Sequence, residues 1–133
     1  MRTILDTGPL VALLNRNDQH HAWSVQAFER LTVPVWACEP VLTEASYLTG
    51  KPREILSMVR DGVIRIGLAV EEQADAIAKL LVRYAGRMDL ADACVVRMSE
   101  MTRNCRVFTT DHGDFSVYRR NGRDVIPVIV PER

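Results

Sequence analysis

Arg2-Thr3-Ile4-Leu5-Asp6-Thr7-Gly8-Pro9-Leu10 carries the chain through a short apolar run, an acid and a tight turn into a helix. Residues 2–5 have the character of a β-strand, and a helix is predicted to continue over 10–15. Pro9 suits its first turn, where a missing N–H costs nothing, and Asp6 or Thr7 can cap it. Because Asp6 directly follows the strand, its side chain leaves the sheet at the rim, within reach of water and backbone donors.

The same alternation continues outward from that junction. Ala22, Val25, Phe28 and Leu31 recur every three residues and predict an amphipathic helix over 19–31, followed by a strand over 33–38. After Pro40, a stripe of Val41, Leu42, Ala45 and Leu48 predicts a buried helical face that ends near Gly50 and Pro52. A shorter helix over 53–60, a strand over 63–68, helices over 71–84 and 89–101, and a strand over 106–109 follow. The last strand is expected over 125–130, with Pro127 placing it at an edge. Strands alternating with helices of this length predict a single domain over 1–133, a three-layer α/β/α sandwich with a mostly parallel central sheet. Ligands of such sheets sit beyond the carboxyl ends of the strands, where Asp6 and Asp111 both fall.

Five acids, Asp6, Glu44, Asp89, Asp92 and Asp111, lie where strands end or helices begin or turn inward. Each has a plain structural role open to it. Asp6 could cap the first helix, and Glu44, between apolar Val41 and Leu48, could be a boundary residue instead of an inward-facing one. Asp89 and Asp92 stand three apart, which puts both on one face of a first helical turn, where the macrodipole favours negative charge. Apolar Ala91, Ala93, Cys94 and Val95 surround Asp92. In Thr109-Thr110-Asp111-His112-Gly113-Asp114-Phe115, either threonine could orient Asp111, and Asp114 could cap a short helix. Gathering several carboxylates costs several kcal/mol unless they are paired or bound to a cation. The set therefore points to a metal-dependent hydrolase of phosphodiesters.

The composition is that of a globular protein, with 133 residues, 47% hydrophobic and 26% charged. Seventeen Lys and Arg balance seventeen Asp and Glu, so bulk charge gives no sign of a nucleic-acid partner. Arginines nevertheless crowd the second half, at positions 83, 87, 97, 103, 106, 119, 120 and 123, where a groove could hold phosphates or a helix face could simply be solvated. Cys38, Cys94 and Cys105 lack C-x-x-C spacing and read as reduced core thiols of a cytoplasmic protein. No apolar run approaches the ~18 residues of a bilayer span. His20 and His21 beside Trp23 could meet a base, or could form a solvated helix start with Trp23 packed inside; Tyr84 and Tyr118 are similarly open.

Read together, Ile4-Leu5-Asp6-Thr7-Gly8-Pro9-Leu10, Thr43-Glu44, Leu90-Ala91-Asp92-Ala93 and Thr109-Thr110-Asp111 through Phe115 resemble the PIN-domain family, in particular its small VapC-like toxins. That resemblance implies that Asp6, Glu44, Asp92 and Asp111 form an acidic quartet holding Mg2+ or Mn2+; Asp89 and Asp114 are extra acids whose roles the match does not settle, and Thr7, Thr109 and Asp114 are expected to support the quartet, with Asp89 open as a further metal ligand. It also implies cleavage of single-stranded RNA to leave a 5′-phosphate, a cognate antitoxin partner and a homodimer. Hard oxygen ligands suit those cations, and the lack of a His/Cys set argues against zinc. Asp6-Thr7-Gly8 is also a short signature of aspartic proteases, but those need a β-rich scaffold. A haloacid-dehalogenase-type phosphatase would want a second Asp where Gly8 stands. A fold that binds RNA or protein without cutting remains the rival, although it would gain nothing from repelling carboxylates beside a phosphate backbone.

Overall fold

In the computed structural model, which describes residues 1–132, the first strand and first helix form as their residues dictate. β1 (Arg2–Leu5) passes through Asp6 into α1 (Thr7–Leu14), and α2 (His21–Arg30) packs back on α1. There follow β2 (Val35–Ala37), α3 (Glu39–Thr49), α4 (Pro52–Arg60) and β3 (Ile64–Ile66). Gly50 ends α3 at φ 66°, a left-handed conformation in which glycine alone is unstrained. The second half comprises α5 (Ala74–Arg83), α6 (Leu90–Met101), β4 (Cys105–Phe108), α7 (His112–Val117), β5 (Arg119–Arg120), β6 (Asp124–Val125) and β7 (Val128–Ile129).

Five strands form one sheet in the order β3-β2-β1-β4-β7, and every neighbouring pair is parallel. The chain runs from β1 outward through β2 to β3, then returns to place β4 on the other side of β1. The sheet therefore changes winding direction between β1 and β4, the place where open α/β sheets leave a crevice. β5 and β6 form a separate antiparallel ribbon.

Successive residues of a strand face opposite sides, and the two sides bury different layers. Ile4 and Val107 join a core with Ile77 and Leu80 of α5, Val95 and Met98 of α6, and Phe115 and Tyr118. Leu5 and Phe108 face a second core with Leu10 of α1, Trp23 and Phe28 of α2, and Ile55 of α4. α3 serves both, through Val41 in the first and Ala45 in the second. The result is the expected α/β/α sandwich, each fully buried Leu, Ile or Phe contributing ~1.5 to 3 kcal/mol.

Two local expectations are corrected. Pro127 does more than mark an edge: lacking an N–H, it splits the last strand. Val125 pairs back with Arg119 in the ribbon, the Pro127 carbonyl accepts from Val107 N–H at 2.8 Å, and Val128 and Ile129 alone extend the sheet beside β4. In α3, Leu48 is not buried with its stripe but 59% exposed, because the helix packs through Val41 and Ala45.

Candidate functional site

Asp6 stands just beyond β1, and its N–H donates to the Phe108 carbonyl at 2.9 Å, so β1 and β4 finish side by side. Its side chain occupies the N-cap position of α1 without capping it. The Thr109 hydroxyl donates to Asp6 Oδ2 at 2.7 Å instead, and Thr109 Oγ1 itself accepts the Asp111 N–H at 2.9 Å. One buried threonine thus ties the two strand ends together. Thr109 therefore orients Asp6 and the Asp111 backbone, not the Asp111 carboxylate as expected. Thr110 lies against Gly8, where a Cβ would collide with the threonine side chain.

The expected cap of the short helix is also reversed. Asp111 precedes α7 and its Oδ1 accepts the Asp114 N–H at 2.9 Å, whereas the Asp114 carboxylate lies 3.7 Å from Arg87 Nη1. At α6, Asp89 and Asp92 form a reciprocal capping box: Asp89 Oδ1 accepts the Asp92 N–H at 2.8 Å, and Asp92 Oδ2 accepts the Asp89 N–H at 3.4 Å. The spacing of three therefore builds a cap as well as an acidic pair. Tyr118, fully buried, donates its hydroxyl to the same Asp92 Oδ2 at 3.0 Å. No linear signal links a tyrosine in the α7–β5 junction with an acid one helix earlier. Tyr84, the other open tyrosine, accepts the Arg119 N–H and stacks edge-on against Tyr118.

Glu44 is half-buried on α3 and, with Thr43, Pro40, Asp89, Leu90 and Val70, lines a cavity of about 590 Å³. The acids share one electrostatic field. Burial raises the Asp6 carboxyl to about 6, with the charges of Asp111 and Glu44 adding to it and hydrogen bonds from Thr109 and the Thr7 backbone opposing it. Asp92 is pushed up to about 7, first by burial and then by Asp89 and Asp6, against the bonds from Tyr118 and Asp89. Burial, then the charge of Asp92, raises the Tyr118 hydroxyl. Asp114 is raised by burial and by Asp111 and held down by Arg87.

The donors in this region are carboxylate and hydroxyl oxygens, the chemistry that Mg2+ and Mn2+ prefer. Among the described residues the buried Thr7 hydroxyl, next to Asp6 in the chain, has no hydrogen-bond partner, and a bound cation's water could satisfy it. Among the described residues, no three acidic, histidine or cysteine side chains close around a common ion position. The residue types fit a divalent cation.

Other sequence expectations resolve plainly. Trp23 packs edge-on against Phe108 at 5.2 Å and His21 Nδ1 meets the Ala12 carbonyl at 2.7 Å, so this cluster is a packed helix start. Of the crowded arginines, Arg87 reaches the acids. Arg83, Arg97, Arg119 and Arg120 are bound to carbonyls, Gln73, Glu100 or Cys105 elsewhere. Cys38, Cys94 and Cys105 are free and buried. Among the described residues no helix is long and apolar enough to cross a membrane.

Among curated proteins, none matches the chain. The PIN domain family does match, over residues 3–121, a span that runs from β1 through β5 and takes in every acid placed above. PIN domains are generally nucleases, and this chain belongs to that family.

Proposed function

We propose that the chain is a Mg2+- or Mn2+-dependent endoribonuclease of the VapC-like toxin kind, with Asp6, Glu44, Asp92 and Asp111 as its catalytic, metal-holding acids and Asp89 at their edge. The observation that carries this reading is the meeting of Asp6 and Asp111 at adjacent strand ends, where Asp6 feels Glu44 and Asp111, and Asp92 feels Asp6. When bound, such a cation polarises the scissile phosphate and lowers the pKa of a water.

The remaining roles belong to the chain. Thr109 holds Asp6 in place, and Tyr118 and the Asp89 N–H both bond Asp92 through Oδ2, which leaves Oδ1 for a ligand. The Thr7 hydroxyl can take up a water at the same place. Asp114 keeps the Arg87 guanidinium near the acids, where it can meet a phosphate oxygen. In the toxin reading, the tail of a cognate antitoxin fills the acid-lined cleft, and two copies pair.

The test is incubation of single-stranded RNA, and of DNA of the same sequence, with the chain and with Asp6→Asn, each with magnesium or with chelator. Cleavage of RNA that needs the cation and disappears in Asp6→Asn is expected. Full activity in the variant would remove Asp6 from the mechanism, and activity indifferent to chelator would remove the cation. A short DNA-binding protein encoded next to this gene and inhibiting the cleavage would separate a toxin from a housekeeping nuclease.

A further inference from the structure

A second cavity, of about 240 Å³, opens between α2, β4 and β7. Its walls carry two guanidinium groups, Arg30 from the last turn of α2 and Arg106 from β4, together with Gln26, and no acid. Trp23, Leu31 and Ile129 supply the apolar side.

Arg106 is half-buried, and its Nε is sealed from solvent without an acceptor among the described residues. A buried donor left unpaired costs ~1 to 3 kcal/mol, and more on a charged group. The cause lies in the strand: Cys105 and Val107 face the α6 layer, so Arg106 must face the α2 layer, where Phe108 and Trp23 leave it no carboxylate. Among the described residues Arg30 likewise has no ion pair. Arg30 is exposed and Arg106 half-buried, so one guanidinium at the mouth and one in the wall face the same opening, and their planar forks suit an oxyanion with two or more oxygens.

We propose that this cavity binds a phosphate group, and that its source is the sugar-phosphate backbone of the strand whose scissile bond lies at the acids. The source assignment rests on the nuclease reading above. Ile129 pairs with Phe108, the residue before Thr109, so the cavity lies along the α2 face of β4, the strand whose end carries Thr109 and Asp111. The acids repel a polyanion and the whole chain has no net charge, so a held strand needs cationic contacts outside the acidic cleft.

The experiment is binding of a short single-stranded RNA in chelator, where no cleavage competes, to the intact chain and to Arg30→Gln and Arg106→Gln. Salt is varied, and the side-chain Nε signal of Arg106 is followed by NMR. Each variant should bind about tenfold more weakly, with a salt dependence shallower by ~1 phosphate contact. Melting temperature serves as the folding control, and Arg106→Lys, which keeps charge but loses the fork, should bind at an intermediate level. Unchanged affinity and salt dependence in both Gln variants overturn the proposal. The Arg106 signal should respond to inorganic phosphate, and to RNA at far lower concentration. A response to inorganic phosphate that RNA does not improve assigns the site to free phosphate and overturns the strand assignment. An equal response to acetate, which would point to an acidic protein side chain, overturns phosphate. Cleavage by the unmodified chain in magnesium is read separately, so an absent nuclease and an absent phosphate site give different results.

Discussion

Thr109 is the residue on which the site turns, because a single hydroxyl gives its proton to the Asp6 carboxylate and its lone pair to the Asp111 backbone. Thr109→Val keeps the shape and removes both bonds, leaving the buried Asp6 carboxylate one donor short and the half-buried Asp111 N–H without its acceptor. We expect it to lower unfolding free energy by about 2 to 3 kcal/mol in urea titration, and to weaken cleavage through misplaced Asp6. Thr110→Val makes the same chemical change one residue along, where the hydroxyl bonds neither acid, and should cost about 1 kcal/mol or less. Equal losses in the two variants would show that the side-chain bond is not what holds the strand ends.

At the scale of elements, the junction between β1 and α1 depends on a missing side chain. Gly8 has no Cβ, and the Thr110 side chain occupies that space, so α1 and the β4–α7 loop approach more closely than any other residue would allow. Gly8→Ala should destabilise by ~1 to 3 kcal/mol as an overpacked contact, and Thr110→Ala in the same chain should recover much of that loss in a double-mutant cycle. Additive losses would mean that the two positions do not touch. Sequence reading reaches the elements well because period-two runs and three-residue apolar spacings are local facts. It reached Asp89 and Asp92 as a pair for the same reason, since a capping box spans three residues. It could not see that Pro127 divides a strand between two partners, because which carbonyl and N–H are taken depends on neighbours distant in the chain. The partner of Tyr118 is hidden likewise: its hydroxyl finds Asp92 across the packing of α6 against the segment after α7, and nothing in either stretch specifies the other. The cap expected of Asp114 falls to Asp111 because either could serve, and the helix start decides between them by a single turn of backbone.

For the whole molecule, the raised carboxyls make stability depend on pH with a definite sign. Asp6 moves from 3.8 to about 6 and Asp92 from 3.8 to about 7 on folding. Their protonated forms favour the folded state, so this contribution is complete below the unfolded value of 3.8 and is lost as pH rises through 6 and then 7. Without divalent cations, the melting temperature should fall by roughly 5 °C between about pH 5 and pH 8 as these two acids ionise. Asp92→Asn, which cannot ionise, should flatten the upper part of that fall and melt higher than the parent chain near pH 8. Magnesium should raise the parent's melting temperature at the alkaline end by mass action. A melting temperature indifferent to pH over this range would show that the two acids are not held in a repulsive, desolvated cluster.

The bond between Thr109 and Asp6 joins residues 103 positions apart, and β1 is flanked by β4 from the far end of the same stretch. During translation Asp6 emerges first and waits, at ~5 to 20 residues per second, roughly 5 to 20 s for its partner. A growing polypeptide therefore carries half of each pair and no assembled cleft, so a cell making this chain meets the finished acidic site only after β4 has left the ribosome.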